Sequence, residues 1–272
     1  MDTIKGLASL ILVGSLTGCI ENHSNTTELC EKQPDLQCDR FNLGDGQCRK
    51  QRTELLWHRF EVKKNPTAKN LIQDYEMTAE YNKCLGLATQ IHVLNQPELK
   101  QNRTEALINS GDDLKTLVER IRKSSSPEAL YFLWSQTGDK EAQRSFLQLE
   151  GSKALENAEM QYALATFYTS KDNEKTIKLL NRSLELSDGD NINPEAFKSL
   201  ASLTYQLNRK EEAYIWAMVA KRFEIPLVRE NELQILYGFD SDKYQQLDDI
   251  AGDVASAIKG GRYKSTLIPS FE

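Results

Sequence analysis

Apolar positions recur with a helical period along most of this chain, and the strict alternation typical of β-strands is scarce. The period predicts helices over 49–63, 67–93 and about 242–259, the last of them ended by Gly260-Gly261. One apolar stripe in the second helix comprises Met77, Tyr81, Cys84, Ala88 and Ile91. The pattern therefore predicts an all-α fold.

Several helix starts are marked by capping side chains. Asn65-Pro66, Ser126-Pro127 and Asn193-Pro194 each place a capping residue before a proline at the first helical position. Gln96-Pro97 is expected to begin a further helix without a good cap. Because Asn65-Pro66 separates two helical stretches, those two helices are expected to form an antiparallel hairpin.

Two segments of the chain repeat each other with a period of 36 residues: LATFYTSKDNEKTIKLLNRSLEL from Leu164 and LASLTYQLNRKEEAYIWAMVAKR from Leu200. Each contains an apolar helix, a polar turn and a second apolar helix. Small residues lie where two helices would approach closely, namely Ala165, Ala201, Ala213, Ala217 and Ala220. A degenerate preceding unit is predicted over 128–155.

These residues resemble the tetratricopeptide (TPR) repeat or its Sel1-like relative. The resemblance implies helical hairpins that are stacked and that offer a regular concave surface. Two positions depart from the pattern, because Ile177 stands where Ala is usual and Thr204 where Tyr is usual. An irregular helical bundle is the alternative, and it would lack the regular surface.

The N-terminal residues resemble a bacterial lipoprotein signal. The segment 6–16 is almost wholly apolar and follows Lys5, but about eleven residues are too few to span a bilayer. Leu16-Thr17-Gly18-Cys19 resembles the lipobox, which implies acylation of Cys19 and cleavage before it. Ile20 rather than Asp follows, which by analogy implies the outer membrane and its periplasmic face. An ordinary cleaved signal peptide is the alternative.

The predicted organisation of the chain follows from these features. It comprises a lipoprotein signal peptide (1–18), a flexible tether (19–29), a cysteine-containing helical region (30–125), TPR-like helical repeats (126–260) and a C-terminal tail (261–272).

Four cysteines remain after Cys19, and an even number suggests two disulfides in an oxidising compartment. Three pairings are possible. If the two N-terminal helices form a hairpin, Cys48 and Cys84 lie at the same height above its turn. The sequence therefore favours Cys48–Cys84 and Cys30–Cys38. A metal site is the rival interpretation, but no pair has the CxxC spacing typical of structural zinc.

The remaining chemistry of the chain is sparse. The net charge is −6 with both signs mixed along the chain, which argues against nucleic-acid binding. His23, His58 and His92 belong to no metal or catalytic motif, and no HExxH, GxSxG, Walker or GxGxxG pattern occurs. We therefore predict no catalytic residue, no metal ligand and no cofactor.

The stretch ELCEKQPDLQCDRFNLGDGQCRKQRTELLWHRF resembles the start of the DUF2989 domain, which occurs in gammaproteobacterial lipoproteins of unassigned activity. The resemblance lies in a cysteine-rich lead, then Cys48-Arg49, then a helix with spaced arginines and apolar residues, here Arg52, Leu55, Leu56 and Arg59. It implies a lipoprotein with a helical body and adds no activity.

Together these features predict a non-enzymatic protein-interaction module that is anchored in the outer membrane and binds an envelope protein or peptide. An accessory activator of a cell-wall synthase is an alternative by analogy of fold, and an envelope hydrolase or a purely structural spacer are others. The sequence does not determine the oligomeric state.

Overall fold

The computed structural model describes residues 25–91, 96–189, 192–225 and 230–271, and all regular structure within these ranges is helical. The α-helices are α1 (Thr26–Lys32), α2 (Arg49–Lys64), α3 (Ala68–Ala88), α4 (Pro97–Ile121), α5 (Pro127–Thr137), α6 (Lys140–Gln148), α7 (Ala158–Tyr168), α8 (Asn173–Glu185), α9 (Glu195–Gln206), α10 (Lys210–Arg222), α11 (Glu230–Tyr237) and α12 (Ser241–Lys259). Short 3₁₀ turns occupy Pro34–Leu36, Cys38–Arg40, Lys153–Leu155 and Ser265–Leu267. The predicted all-α class is confirmed.

The chain divides into two compact units, unit 1 (Met1–Thr116) and unit 2 (Leu117–Glu272). The division lies inside α4 and not between residues 125 and 126, where the sequence suggested a boundary. A long helix runs through this point without a break, so no linker marks it in the sequence.

Unit 1 is built on the hairpin of α2 and α3. His58 of α2 lies 2.9 Å from the carbonyl oxygen of Asn70 near the start of α3. The Cys48–Cys84 disulfide joins the opposite ends of the two helices, so they run antiparallel as expected. Leu55, Leu56 and Leu85 are fully buried and form the core between them.

Three expectations for unit 1 are corrected at helix ends. Thr67 and not Asn65 caps α3, because the Thr67 hydroxyl accepts a hydrogen bond from the backbone N–H of Asn70. Helix α3 ends at Ala88 and not at 93, and Ile91 is 45% exposed and lies outside the buried stripe. The predicted tether (19–29) is helical from Thr26 onward, because Asn25 caps α1.

Unit 2 contains three helical hairpins: α5 with α6, α7 with α8, and α9 with α10. Capping side chains start most of these helices, including Ser126, Asp139, Asn157 and Asp172. The two repeated segments, 164–186 and 200–222, correspond to the hairpins of α7 with α8 and of α9 with α10, and α5 with α6 is the preceding unit expected over 128–155. The predicted stack of helical hairpins is confirmed.

The register of the repeat differs between the two helices of a hairpin. The side chains of Asn157 and Asn193 accept hydrogen bonds from backbone N–H groups at the starts of α7 and α9, and they are 36 residues apart, in agreement with the sequence period. Helices α8 and α10 instead begin 37 residues apart, at Asn173 and Lys210. Thr176 and not Ile177 is therefore equivalent to Ala213, and both are fully buried.

The C-terminal residues complete the core of unit 2 and do not form a separate tail. Tyr263 is 1% exposed and packs beside Trp216, with 6.0 Å between ring centroids. Its hydroxyl donates a hydrogen bond to Oδ1 of Asn181 in α8, at 2.5 Å. The backbone N–H and hydroxyl of Ser265 both donate to Glu185, each at 2.9 Å. Helix α12 lies against α10 and ends at Lys259, before Gly260, as predicted.

Candidate functional site

The four cysteines in the described part of unit 1 form two disulfides, Cys30–Cys38 and Cys48–Cys84, with Cα atoms 5.8 Å apart in each. This is the pairing that the hairpin geometry favours. The segment between α1 and α2 contains two short 3₁₀ turns, and a disulfide-bonded cysteine lies near each of its ends, Cys30 in α1 and Cys48 directly before α2. The cysteine side chains are therefore committed to structure.

The loop Asn42–Gln47 (the 42–47 loop) is held by the buried guanidinium group of Arg52. Its Nη1 donates to the carbonyl oxygen of Asn42 at 2.6 Å, and its Nη2 donates to that of Asp45 at 3.0 Å. The side chain of Asn42 accepts a further hydrogen bond from the hydroxyl of Tyr81, at 2.5 Å. One arginine of α2 therefore fixes the main chain of the loop from inside the unit.

A second buried arginine fixes the side chain of the same loop. Arg103 of α4 binds both carboxylate oxygens of Asp45, at 2.5 and 3.2 Å, and both side chains are 5% exposed. Its remaining nitrogen donates to the carbonyl oxygen of Ala88 at the end of α3. Hydrogen bonding to Arg103 holds the pKa of Asp45 below its usual value. The ion pair thus joins the loop to α3 and α4.

Two further arginines, Arg40 and Arg59, bind carboxylates between the helices of unit 1. Arg59 binds Asp74 at 3.1 Å, Thr78 at 3.0 Å and Asp113 at 2.8 Å. Arg40 binds the other carboxylate oxygen of Asp113 at 2.6 Å. These carboxylates are neutralised by arginine, which makes them structural groups and not a free acid–base pair.

Two clefts flank the 42–47 loop. One has a volume of about 280 Å³ and lies between the loop and α4, where Asn102 and Asn109 contribute to its wall. The other has a volume of about 550 Å³ and is lined by Asn25–Thr27, Leu43–Gly46 and Arg49. The loop therefore forms a ridge between two concave surfaces.

Unit 2 presents a surface made by the first turns of α5, α7 and α9, which we name the tyrosine–glutamate face. Its sequences SPEALY (126–131), NAEMQY (157–162) and NPEAFK (193–198) share one spacing. Two residues after each capping side chain lies a glutamate, and five residues after it lies a tyrosine or a lysine. The members are Glu128, Tyr131, Glu159, Tyr162, Glu195 and Lys198.

Each tyrosine of this face lies close to residues of the next hairpin. Tyr131 of α5 is near Thr166 and Glu159 of α7. Tyr162 of α7 is near Asn193, which precedes α9. Burial raises the pKa of both tyrosines, so they present neutral hydroxyl groups. The face combines half-buried tyrosine rings with carboxylates, of which Glu159 and Glu195 are exposed and Glu128 is half-buried.

The three glutamates also have a local role. Each lies in the first turn of its helix, where a negative charge interacts favourably with the helix dipole whether or not a partner binds. Glu195 is further paired with Lys198 at 2.6 Å. A test of the face must therefore compare carboxylates at the same helical position on other helices.

His58, Trp134 and Trp216 make structural contacts within the described part of the chain. His58 contacts Asn70 between α2 and α3, whereas Cys19, the predicted lipidation residue, lies outside the described residues together with His23 and His92. Trp216 is buried in the core of unit 2, and Trp134 packs against Phe146 with ring centroids 5.9 Å apart. Over the described ranges, no group of three His, Cys, Asp or Glu side chains is arranged to hold a metal ion.

No helix among the described residues is both long and apolar enough to cross a membrane. A model of one protein family, described as "Protein of unknown function (DUF2989)", matches residues 16–218. Comparison with curated proteins and with solved structures finds no match.

Proposed function

The chain belongs to the DUF2989 family of proteins of unknown function, and from this premise we propose that it is a non-enzymatic protein-interaction module of the cell envelope. A lipid on Cys19 anchors it in the outer membrane, and TPR-like repeats in unit 2 bind an envelope protein or peptide. The tyrosine–glutamate face is the observation that carries the binding role, because a glutamate recurs at the same position in the first turn of α5, α7 and α9.

The proposed location rests on the segment around Cys19 and on the two disulfides of unit 1. Leu16-Thr17-Gly18-Cys19 matches the lipobox, and the residue after Cys19 is Ile20. The two disulfides of unit 1 suit an oxidising compartment such as the periplasm. A stable anchor requires more than one acyl chain, which bacterial lipoprotein processing supplies.

The experiment that tests the binding role is affinity capture from crosslinked envelopes of the native host. The lipidated protein is compared with the face variant Glu128→Lys/Glu159→Lys. The matched control is Glu141→Lys/Asp242→Lys, because these carboxylates lie two residues after the capping side chains Asp139 of α6 and Asp240 of α12 and are exposed. Both variants remove two first-turn carboxylates that interact favourably with a helix dipole, and only one of them changes the tyrosine–glutamate face.

We expect one dominant envelope protein with the unchanged chain and the control, and a loss of at least fivefold with the face variant. Equal capture by both variants would show that another surface binds. Absence of any partner would favour a structural spacer, and a cell-wall synthase as the partner would favour the activator role. Turnover of an envelope substrate by the purified chain would contradict the non-enzymatic proposal.

A further inference from the structure

The 42–47 loop is fixed from inside unit 1, although most of its residues are exposed to solvent. Arg52 binds two of its carbonyl oxygens, and Arg103 binds both oxygens of Asp45 with almost no exposure to solvent. A buried ion pair is costly to desolvate and is weak as a source of stability, but it fixes one arrangement of the groups that it joins. The loop is therefore preorganised in one conformation.

The tip of this loop stands clear of the body of unit 1. Leu43 is 41% exposed. A Cβ atom built on Gly44 or Gly46 would meet no other atom within 4 Å, so open space surrounds the tip. A rigid loop that holds an apolar side chain in open space gains free energy when an apolar environment takes up that side chain.

The position of the loop relative to the N-terminal end of the described chain restricts what can cover it. Asn25, Thr26 and Thr27 line the same cleft as Leu43. Asn25 lies six positions after Cys19 in the sequence. Six residue steps reach at most about 20 Å when the chain is fully extended. A compact unit of this size is about 30 Å across, so a lipid on Cys19 holds the side of unit 1 that carries Asn25 towards the bilayer.

The two sides of the loop differ in charge: the cleft between the loop and α4 is lined by the exposed Asp39 and Glu105, whereas the cleft that the loop shares with Asn25 is basic and suits a phospholipid surface. Arg49 is exposed and lines the cleft shared with Leu43. Lys50 is also exposed, and its ion pair with Glu54 is long at 3.9 Å. An apolar tip with basic side chains next to it resembles the composition of segments that lie in a membrane interface, where cations meet anionic headgroups.

We propose that the 42–47 loop is a membrane-contacting surface, in which Leu43 enters the phospholipid interface and Arg49 binds headgroup phosphates. This proposal rests on the lipid anchor of the proposed function. It assigns unit 1 a fixed orientation on the bilayer, with the loop facing the lipid.

The test uses the full lipidated chain in vesicles of phosphatidylethanolamine and phosphatidylglycerol. The photoreactive residue p-benzoylphenylalanine replaces Leu43 in one variant and Leu87 in a control, since Leu87 is 63% exposed on α3 and is not among the residues that line either cleft. We expect at least tenfold more lipid adduct at position 43 than at position 87. Equal yields at the two positions would overturn the proposal.

Two further measurements separate the possible failures. The mass of the N-terminal peptide reports whether Cys19 is acylated. Acylated protein without lipid adduct at position 43 overturns the membrane contact alone, whereas unacylated protein overturns the anchor and the contact with it. In native envelopes, an adduct of position 43 with a protein would identify a protein-docking loop instead. Should the Leu43 variant not fold, Gly44 takes the photoreactive residue, because its Cβ position is open.

Discussion

Gly189, in the connection after α8, lies directly against the main chain of Lys259 at the end of α12. A Cβ atom on Gly189 would overlap the carbonyl oxygen of Lys259, and the backbone of Gly189 has φ of +93°. Gly261 makes the reciprocal approach, because a Cβ atom there would lie 2.9 Å from the carbonyl oxygen of Asp188. Two glycines thus allow the end of α12 to dock on the α8–α9 connection.

Gly189→Ala is expected to destabilise unit 2 by about 3 kcal/mol, because it adds both strain at positive φ and an overlap with main-chain atoms. Gly138→Ala is the matched control, since Gly138 also has positive φ (+71°) but open space around its Cβ position. The control should lose only about 1 kcal/mol. Urea unfolding followed by circular dichroism measures both, and equal losses would show that the overlap is relieved by movement of the chain.

Removal of one partner from the buried pair of Asp45 and Arg103 should cost more than removal of both. Arg103→Met leaves the Asp45 carboxylate buried and unpaired, and we expect a loss of about 3–5 kcal/mol in the free energy of unfolding of unit 1. The double variant Asp45→Asn/Arg103→Met should recover about half of this loss. A double-mutant cycle by chemical denaturation gives the coupling, and additive losses would mean that the pair does not interact.

The same carboxylate makes stability depend on pH in a defined direction. Hydrogen bonding to Arg103 lowers the pKa of Asp45 in the folded protein, whereas the unfolded value is about 3.9. Below about pH 4 the unfolded chain therefore takes up the proton first, and stability falls as the pH decreases further towards the folded pKa. Asp45→Asn should show a smaller loss between pH 4 and pH 2 than the unchanged chain. An unaltered acid slope would assign the effect to other carboxylates.

The two disulfides should contribute unequally to stability. In the chain-entropy treatment, the ring closed by Cys48–Cys84 contributes about 4 kcal/mol and the shorter ring closed by Cys30–Cys38 about 2.5 kcal/mol, because the sequence separations are 36 and 8. Comparison of the paired Cys→Ser variants by thermal unfolding measures the difference. A larger loss from the shorter ring would indicate that it holds the 3₁₀ turns and not merely the unfolded chain.

Much of the fold could be predicted because the helices carry local signals. Ser126 before Pro127 predicts the start of α5, and the distance of Cys48 and Cys84 from the hairpin turn predicts their pairing. The sequence does not single out Thr67 as the cap of α3, because Asn65-Pro66 offers a competing signal two residues earlier. The capping residue of a helix can therefore be predicted more reliably where the sequence offers only one candidate.

The contacts that fix the 42–47 loop and the C-terminal residues have no periodic pattern in the sequence. Arg52 binds main-chain carbonyl oxygens, which every residue type supplies, and Tyr263 reaches Asn181 across 82 positions of sequence. Neither contact can be inferred from spacing. The tyrosine–glutamate face did have a signal, the shared spacing that begins at Ser126, Asn157 and Asn193, but it becomes meaningful only once the three helices are known to stack.

The Cys48–Cys84 disulfide also determines how tension passes along the chain. When force pulls on the two ends of unit 1, the load passes from Cys48 directly to Cys84 through the sulfur–sulfur bond. The α2–α3 turn lies outside this path, and so does the short segment bypassed by Cys30–Cys38. A protein tethered to a surface and pulled by a partner would therefore lengthen elsewhere before this hairpin unravels.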